Sequence, residues 1–137
     1  MTEQIDLREI MQKAGGFAPD AYRFLRDGLA HTVGMVHGEE AAIELPDDDD
    51  ESRHVSGQQL CLGLRDYAID RYGPLSKAVL NRWGVTCTED FGRIVFALID
   101  AKLMRKTDDD TLEDFRDVYD FDEAFRLVRL APIAAGE

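Results

Sequence analysis

Apolar residues recur at helical spacing along much of the chain. The clearest set lies between positions 91 and 99, where five residues at i, i+3, i+4, i+7 and i+8 share one helical face. They are Phe91, Ile94, Val95, Leu98 and Ile99. Shorter versions of this pattern predict helices over residues 5–14, 19–33, 57–72 and 74–83, and a last helix between Asp122 and Pro132.

Capping and turn-forming residues separate the predicted helices. Ser56 and Gln59 have the spacing of a capping box, in which each side chain bonds the backbone N–H of the other residue. Gly73 followed by Pro74 suits the end of one helix and the start of the next. Thr88 is predicted to be the N-cap of the helix with the clearest apolar face.

Two short strands are predicted after that helix, over residues 103–107 and 115–121, with the aspartates between them forming a turn. Helix, tight turn, helix and hairpin is the element order of a winged helix-turn-helix, which residues 74–121 would form. We therefore predict one mainly helical α+β domain over residues 1–137 with a winged-helix-like C-terminal half. A generic small α+β packing is the alternative.

Of the 137 residues, 45% are hydrophobic, which is typical of globular domains. The charged residues, in contrast, are distributed unevenly along the chain. Residues 39–51 hold eight acids and no base, and residues 108–123 hold nine acids and one base. The whole chain has 28 acids and 16 bases, so the residues outside these two segments hold 11 acids and 15 bases. We call residues 108–123 the acidic segment. Residues 38–53 are predicted to be a solvated acidic loop and residues 132–137 a frayed tail.

Nucleic-acid binding is the alternative function that a winged helix suggests. A recognition helix needs basic or amide side chains at the base edges and further basic residues at the phosphates. Opposite its apolar face, the predicted recognition helix offers Glu89, Arg93, Ala97 and Asp100, and the predicted wing is the acidic segment. We therefore expect no nucleic-acid partner, while a nucleic-acid-binding or transcription-associated protein stays open as an alternative.

Metal-binding and catalytic motifs are not found in the sequence. His31, His37, His54 and Cys61 lack the short spacing that places two zinc ligands on one turn, and the aspartate runs do not fit the EF-hand register. Cys87 precedes a helix N-terminus, where a thiolate is favoured, so it is the one cysteine worth testing. We expect no cofactor, no metal and no enzymatic activity. A small metal- or thiol-dependent enzyme is the second alternative.

Four short motifs suggest a relationship to known proteins. They are His54-Val55-Ser56-Gly57, Arg82-Trp83-Gly84, Thr88-Glu89-Asp90-Phe91-Gly92 and Tyr119-Asp120-Phe121-Asp122. With these motifs, the stretch from Tyr22 to Phe125 resembles a family of conserved bacterial proteins of unknown function. The resemblance implies a cytoplasmic bacterial protein and assigns no catalytic or binding residue. The N-terminal residues have no apolar core of an export signal, and no apolar run approaches the roughly 18 residues of a membrane span.

These observations favour a non-enzymatic protein–protein interaction module that contacts another protein through its acidic segment. The predicted interaction surface consists of Asp109, Asp114, Phe115, Asp117 and Tyr119, because aromatic side chains are enriched at protein interfaces. The alternative is that the aromatic side chains face the core and the acids only keep an edge strand from pairing. The identity of the partner and the oligomeric state are left open.

Overall fold

Amphipathic segments of the sequence become helices that pack around one core. The computed structural model describes residues 7–38, 54–104 and 110–126. Within these ranges the α-helices are α1 (Leu7–Ala14), α2 (Pro19–His37), α3 (Gly57–Tyr72), α4 (Ser76–Arg82) and α5 (Thr88–Asp100). Turns of 3-10 helix span Gly73–Leu75 and Leu112–Phe115, and residues 121–126 are helical. The mainly helical architecture is therefore confirmed, whereas residues 39–53 of the predicted acidic loop and the predicted tail lie outside the described residues.

The helix ends follow the predicted caps at most positions. The backbone N–H of Gln59 donates to Ser56 Oγ over 3.1 Å, and the N–H of Ser56 donates to Gln59 Oε1 over 2.9 Å, so the capping box is confirmed. The predicted N-cap at Thr88 is wrong. Cys87 occupies that position, and Thr88 is the first residue of α5. Its hydroxyl is used elsewhere, donating to the carbonyl of Phe115 over 2.6 Å.

The predicted strand over residues 115–121 is wrong. Phe115 ends a 3-10 turn that begins with a capping box between Thr111 and Asp114, and this local side-chain bonding competes with an extended ladder. Asp117 then adopts a left-handed conformation, with φ of +50°. Leu103 lies in a bend after α5, and residues 105–109 lie outside the described part of the chain. No strand occurs among the described residues, so neither the α+β class nor the wing is confirmed.

Helices α2 and α3 share the most extensive contact of the described helix pairs. They run antiparallel, since Gly28 lies against Leu64 while His37, at the other end of α2, bonds the carbonyl of His54 just before α3. Gly63 on α3 faces Thr32 on α2, and both residues are buried. Glycine at this position leaves room for the Thr32 side chain, so the two helices can pack closely.

The core is formed around α5, whose apolar face is buried as its spacing predicts. Phe91, Ile94, Val95 and Leu98 are buried, and Ile99 is half-buried. α5 contacts α1 on one side and the 3-10 turn Leu112–Phe115 on another. Residues 110–126 therefore close the core over α3 and α5.

Candidate functional site

Aromatic side chains fasten the acidic segment to the core. Phe115, Phe121 and Phe125, which lies just beyond the segment, are 3%, 4% and 5% exposed. The Tyr119 hydroxyl donates to the carbonyl of Cys61 over 2.9 Å, and burial raises the pKa of Tyr119, so the donor stays protonated. The segment thus presents its aromatic residues inward.

Polar contacts hold the described part of the segment at several points. Thr88 accepts from the backbone N–H of Val118 over 3.2 Å. Lys77 on α4 pairs with Asp122, and this hydrogen bond and charge lower the pKa of the Asp122 carboxyl. His54 Nε2 lies 3.1 Å from Asp110 Oδ1. These contacts fix the position of the acidic segment relative to α3, α4 and α5. Most carboxylates of the described part of the segment take no part in them.

The carboxylates of the acidic segment differ in their hydrogen bonds and in their exposure. Asp114 has a structural role, since its carboxylate accepts from the N–H of Thr111 over 3.1 Å. Asp120 likewise accepts from the N–H of Glu123 over 3.1 Å. The exposed acids of the described segment are Glu113, Asp117, Asp120, Asp122 and Glu123.

The five residues of the predicted interaction surface lie in different environments. Phe115 is in the core, and Tyr119 is half-buried with its hydroxyl bonded to the backbone, so neither ring stands out toward solvent as an interface anchor would. Asp114 is partly buried in a cap, and Asp117 is exposed. Asp109 lies outside the described residues. The aromatic residues thus face inward, as in the alternative interpretation, but from a 3-10 turn and loop instead of an edge strand.

The histidines and cysteines considered for zinc make separate contacts. His31 packs on the ring of Tyr67 with centroids 5.5 Å apart, His37 bonds the carbonyl of His54, and Cys61 is buried in α3. No group of three or more His, Cys, Asp or Glu that could hold a metal ion occurs among residues 7–38, 54–104 and 110–126. The aspartate run at residues 47–50 lies outside these ranges.

The pKa of each cysteine is raised above its ordinary value. Burial raises the pKa of Cys61 to about 12, with a smaller contribution from the charge of Glu89. The pKa of Cys87 is also raised, first by burial, although its own contact with the backbone of Asp90 acts in the opposite direction. Burial and the charges of Glu89 and Asp90 thus act against the thiolate that the helix N-terminus is expected to favour at Cys87.

A second feature, missed at the sequence level, is a surface cleft of about 350 Å³ between α2, α3 and the end of α4. We call it the aromatic cleft. Phe24 is one of its lining residues, and its ring centroid lies 5.5 Å from that of Tyr67, 6.3 Å from that of Tyr72 and 5.7 Å from that of Trp83. The remaining lining residues are charged: Asp20, Arg23, Asp27 and Arg71.

Arg71 is the charged residue most closely associated with these rings. Its guanidinium carbon lies 5.6 Å from the Tyr67 centroid and 5.9 Å from the Tyr72 centroid. The pKa of Arg71 is raised, first by its polar interaction with Tyr72 and then by Tyr67, so the group keeps its positive charge. Tyr67 and Arg71 are four residues apart on α3, and this i, i+4 aromatic–cation spacing is the signal that could have indicated the cleft.

Comparisons of the chain with protein-family models, with curated proteins and with solved structures find no match. The resemblance to a bacterial protein family therefore stays a prediction. In the described part of the chain, no helix has both the length and the apolar character needed to cross a membrane.

Proposed function

We propose that the protein is a non-enzymatic protein–protein interaction module of the bacterial cytoplasm, and that a basic surface of its partner binds the acidic segment. The observation that carries the proposal is that the aromatic and the acidic residues of the segment have different environments. Its buried aromatic residues attach it to the core, while Glu113, Asp117 and Glu123 remain exposed.

Folding alone gives no reason to concentrate these acids. Among the described residues the Asp117 side chain has no ion-pair or hydrogen-bond partner, and Glu113 has an exposed pair with Arg116, which contributes little to stability. Like charges so close together repel one another, whereas a basic partner would neutralise them and would be steered toward them during association. This supports an interaction role for the acidic segment.

The winged-helix alternative lacks a comparable observation. Arg93 is the one basic residue expected on the exposed face of the recognition helix, and it pairs with the buried Asp90. The carboxylate of Asp90 also accepts from the backbone N–H of Thr86 over 2.9 Å. Most of α5 is part of the core. We therefore do not propose nucleic-acid binding.

The test removes charge without removing caps. The variant Glu113→Gln, Asp117→Asn and Glu123→Gln neutralises three exposed acids, and asparagine tolerates the left-handed conformation at position 117. A matched variant neutralises three exposed acids elsewhere: Glu9→Gln, Asp70→Asn and Asp100→Asn.

Affinity purification from a lysate of the source organism, followed by mass spectrometry, compares the two variants with the wild type. We expect a partner that the wild type and the matched variant retain and that the segment variant loses, with recovery falling as salt rises. Equal recovery by all three proteins, or no enriched partner, would contradict the proposal.

A further inference from the structure

The aromatic cleft has a chemistry that the acidic segment does not explain. Its volume of about 350 Å³ is within the range of small-molecule pockets, roughly 300–1,000 Å³. Such pockets combine apolar and aromatic walls with a few polar groups that fix the orientation of the ligand. The cleft is open to solvent, and charged side chains make up half of its lining residues. The aromatic part of the lining is the half-buried rings of Tyr67, Tyr72 and Trp83 beside the buried Phe24.

The acids at the cleft already have cationic partners. Arg23 Nη1 lies 3.4 Å from Asp20 Oδ1, and Arg26 Nη2 lies 3.4 Å from Asp27 Oδ1. Arg71 is different, because its interactions in the described part of the chain are with Tyr67 and Tyr72, and none of them is with a carboxylate. The cleft therefore contains one positive group that is oriented by aromatic rings and is not neutralised.

We propose that the aromatic cleft binds a small aromatic carboxylate. The ring of the ligand packs against Trp83 and Tyr72, and its carboxylate pairs with the guanidinium of Arg71. A guanidinium can bind a carboxylate through two parallel hydrogen bonds, and stacking on an aromatic ring restricts it before the ligand arrives. Little side-chain entropy is then lost on binding.

A cationic ligand would fit this arrangement less well. Arg71 already lies over the rings of Tyr67 and Tyr72, so a second cation there would be repelled. It would also compete with Arg23 and Arg26 for Asp20 and Asp27. The net charge of the chain, −12, does not determine whether the cleft favours an anionic or a cationic ligand. Exposed charges further away than about 10 Å are largely screened at 0.1 M salt.

The chain contains a built-in reporter for this test, because Trp83 is its one tryptophan. The probes are three compounds with the same ring and different charge: phenylacetate, phenylethanol and phenethylamine. Each is titrated into the full-length wild-type protein at 0.1 M salt, and both the Trp83 fluorescence and the indole N–H resonance of Trp83 are followed. We expect saturable binding of phenylacetate, with an affinity about tenfold or more above that of the other two probes.

Three variants show which residue is responsible, and two of them remove one positive charge each. Arg71→Gln should weaken phenylacetate binding about tenfold or more, and Arg71→Lys should restore part of it, because lysine keeps the charge without the planar fork. Arg116→Gln removes the same charge from an exposed side chain that does not line the cleft, and it should bind like the wild type. Arg71 is itself exposed, so its loss should leave the circular dichroism spectrum unchanged.

The result can overturn the proposal in three ways. Phenethylamine binding as tightly as phenylacetate would mean that the acids at the cleft dominate. Arg71→Gln binding like the wild type would mean that the guanidinium does not hold the carboxylate. No saturation by phenylacetate up to about 20 mM would mean that the rings and Arg71 do not form a ligand site.

Discussion

Replacing Gly63 by alanine tests how closely α2 and α3 approach. The new Cβ would lie 1.9 Å from Oγ1, 2.7 Å from Cβ and 2.8 Å from Cγ2 of Thr32. Thr32 is 1% exposed, is branched at Cβ, and donates its hydroxyl to the carbonyl of Gly28 over 2.7 Å. Because no rotation of Thr32 moves its own Cβ away, the two helices must separate.

Two opposing effects set the size of the change in stability. Overpacking a well-packed core costs about 1–3 kcal/mol, and overlap with three atoms of one buried side chain places Gly63→Ala near the upper end. Alanine is more favourable than glycine within a helix by about 1 kcal/mol. We expect a net loss of about 2 kcal/mol in the free energy of unfolding. Urea unfolding followed by circular dichroism measures this loss as a lower midpoint at an unchanged slope.

A double-mutant cycle with Thr32→Ala gives the control. That change removes Oγ1 and Cγ2 of residue 32, which relieves two of the three overlaps with the new Cβ at position 63. The combined variant should therefore lose less stability than the sum of the two single variants. A Gly63→Ala protein as stable as the wild type, or more stable, would refute the close approach of the two helices.

Further outcomes follow from the same contacts. Gly92→Leu should destabilise the protein strongly, because a Cβ there would already lie 2.8 Å from the 3-10 turn of the acidic segment. Gly84→Ala should destabilise the protein by about 1–2 kcal/mol, because the φ of Gly84 is +94°. Urea midpoints measure both changes. In native protein at pH 7, a thiol reagent should modify Cys87 slowly and Cys61 only after unfolding, since the pKa of each is raised; a fast-reacting thiol would contradict this. The lowered pKa of Asp122 means that its ion pair stabilises the fold when the carboxyl is ionised and is lost as pH falls through the folded-state pKa. Asp122→Asn should therefore lower the urea midpoint at pH 7 and have no effect once the wild-type carboxyl is protonated. Thermal melts with and without a strong chelator should agree, because no short-spaced ligand pair occurs in the sequence.

Helices with regular apolar spacing and local caps were predictable from the sequence. α5 is the best example, because the residues of its apolar face report directly which side is buried. The capping box of Ser56 was equally predictable, since its partner Gln59 is only three residues away. Both signals are local, so they do not depend on the rest of the fold.

Features that depend on distant residues were predicted less well. The spacing of Phe115, Tyr119 and Phe121 resembles strand alternation, but each side chain is buried or half-buried against another part of the fold, from an irregular backbone. The positions of Gly63 and Gly92 within helices predict the close approach of another backbone. The structure has the side chains of Thr32 and Phe115 there instead. The aromatic cleft was missed because its rings come from three helices that are separated in the sequence.

The late position of the acidic segment in the chain has a consequence for biosynthesis. Phe115, Phe121 and Phe125 complete the core over α3 and α5, so a nascent chain that has emerged only to Asp100 still exposes apolar surface of both helices. At typical translation rates, the ribosome needs about one to five seconds to add the residues up to 126. During that interval the chain would be a target for ribosome-associated chaperones. A stalled ribosome–nascent-chain complex in which the chain has emerged only to Asp100 should remain sensitive to protease, whereas one in which residue 126 has also left the exit tunnel should become resistant.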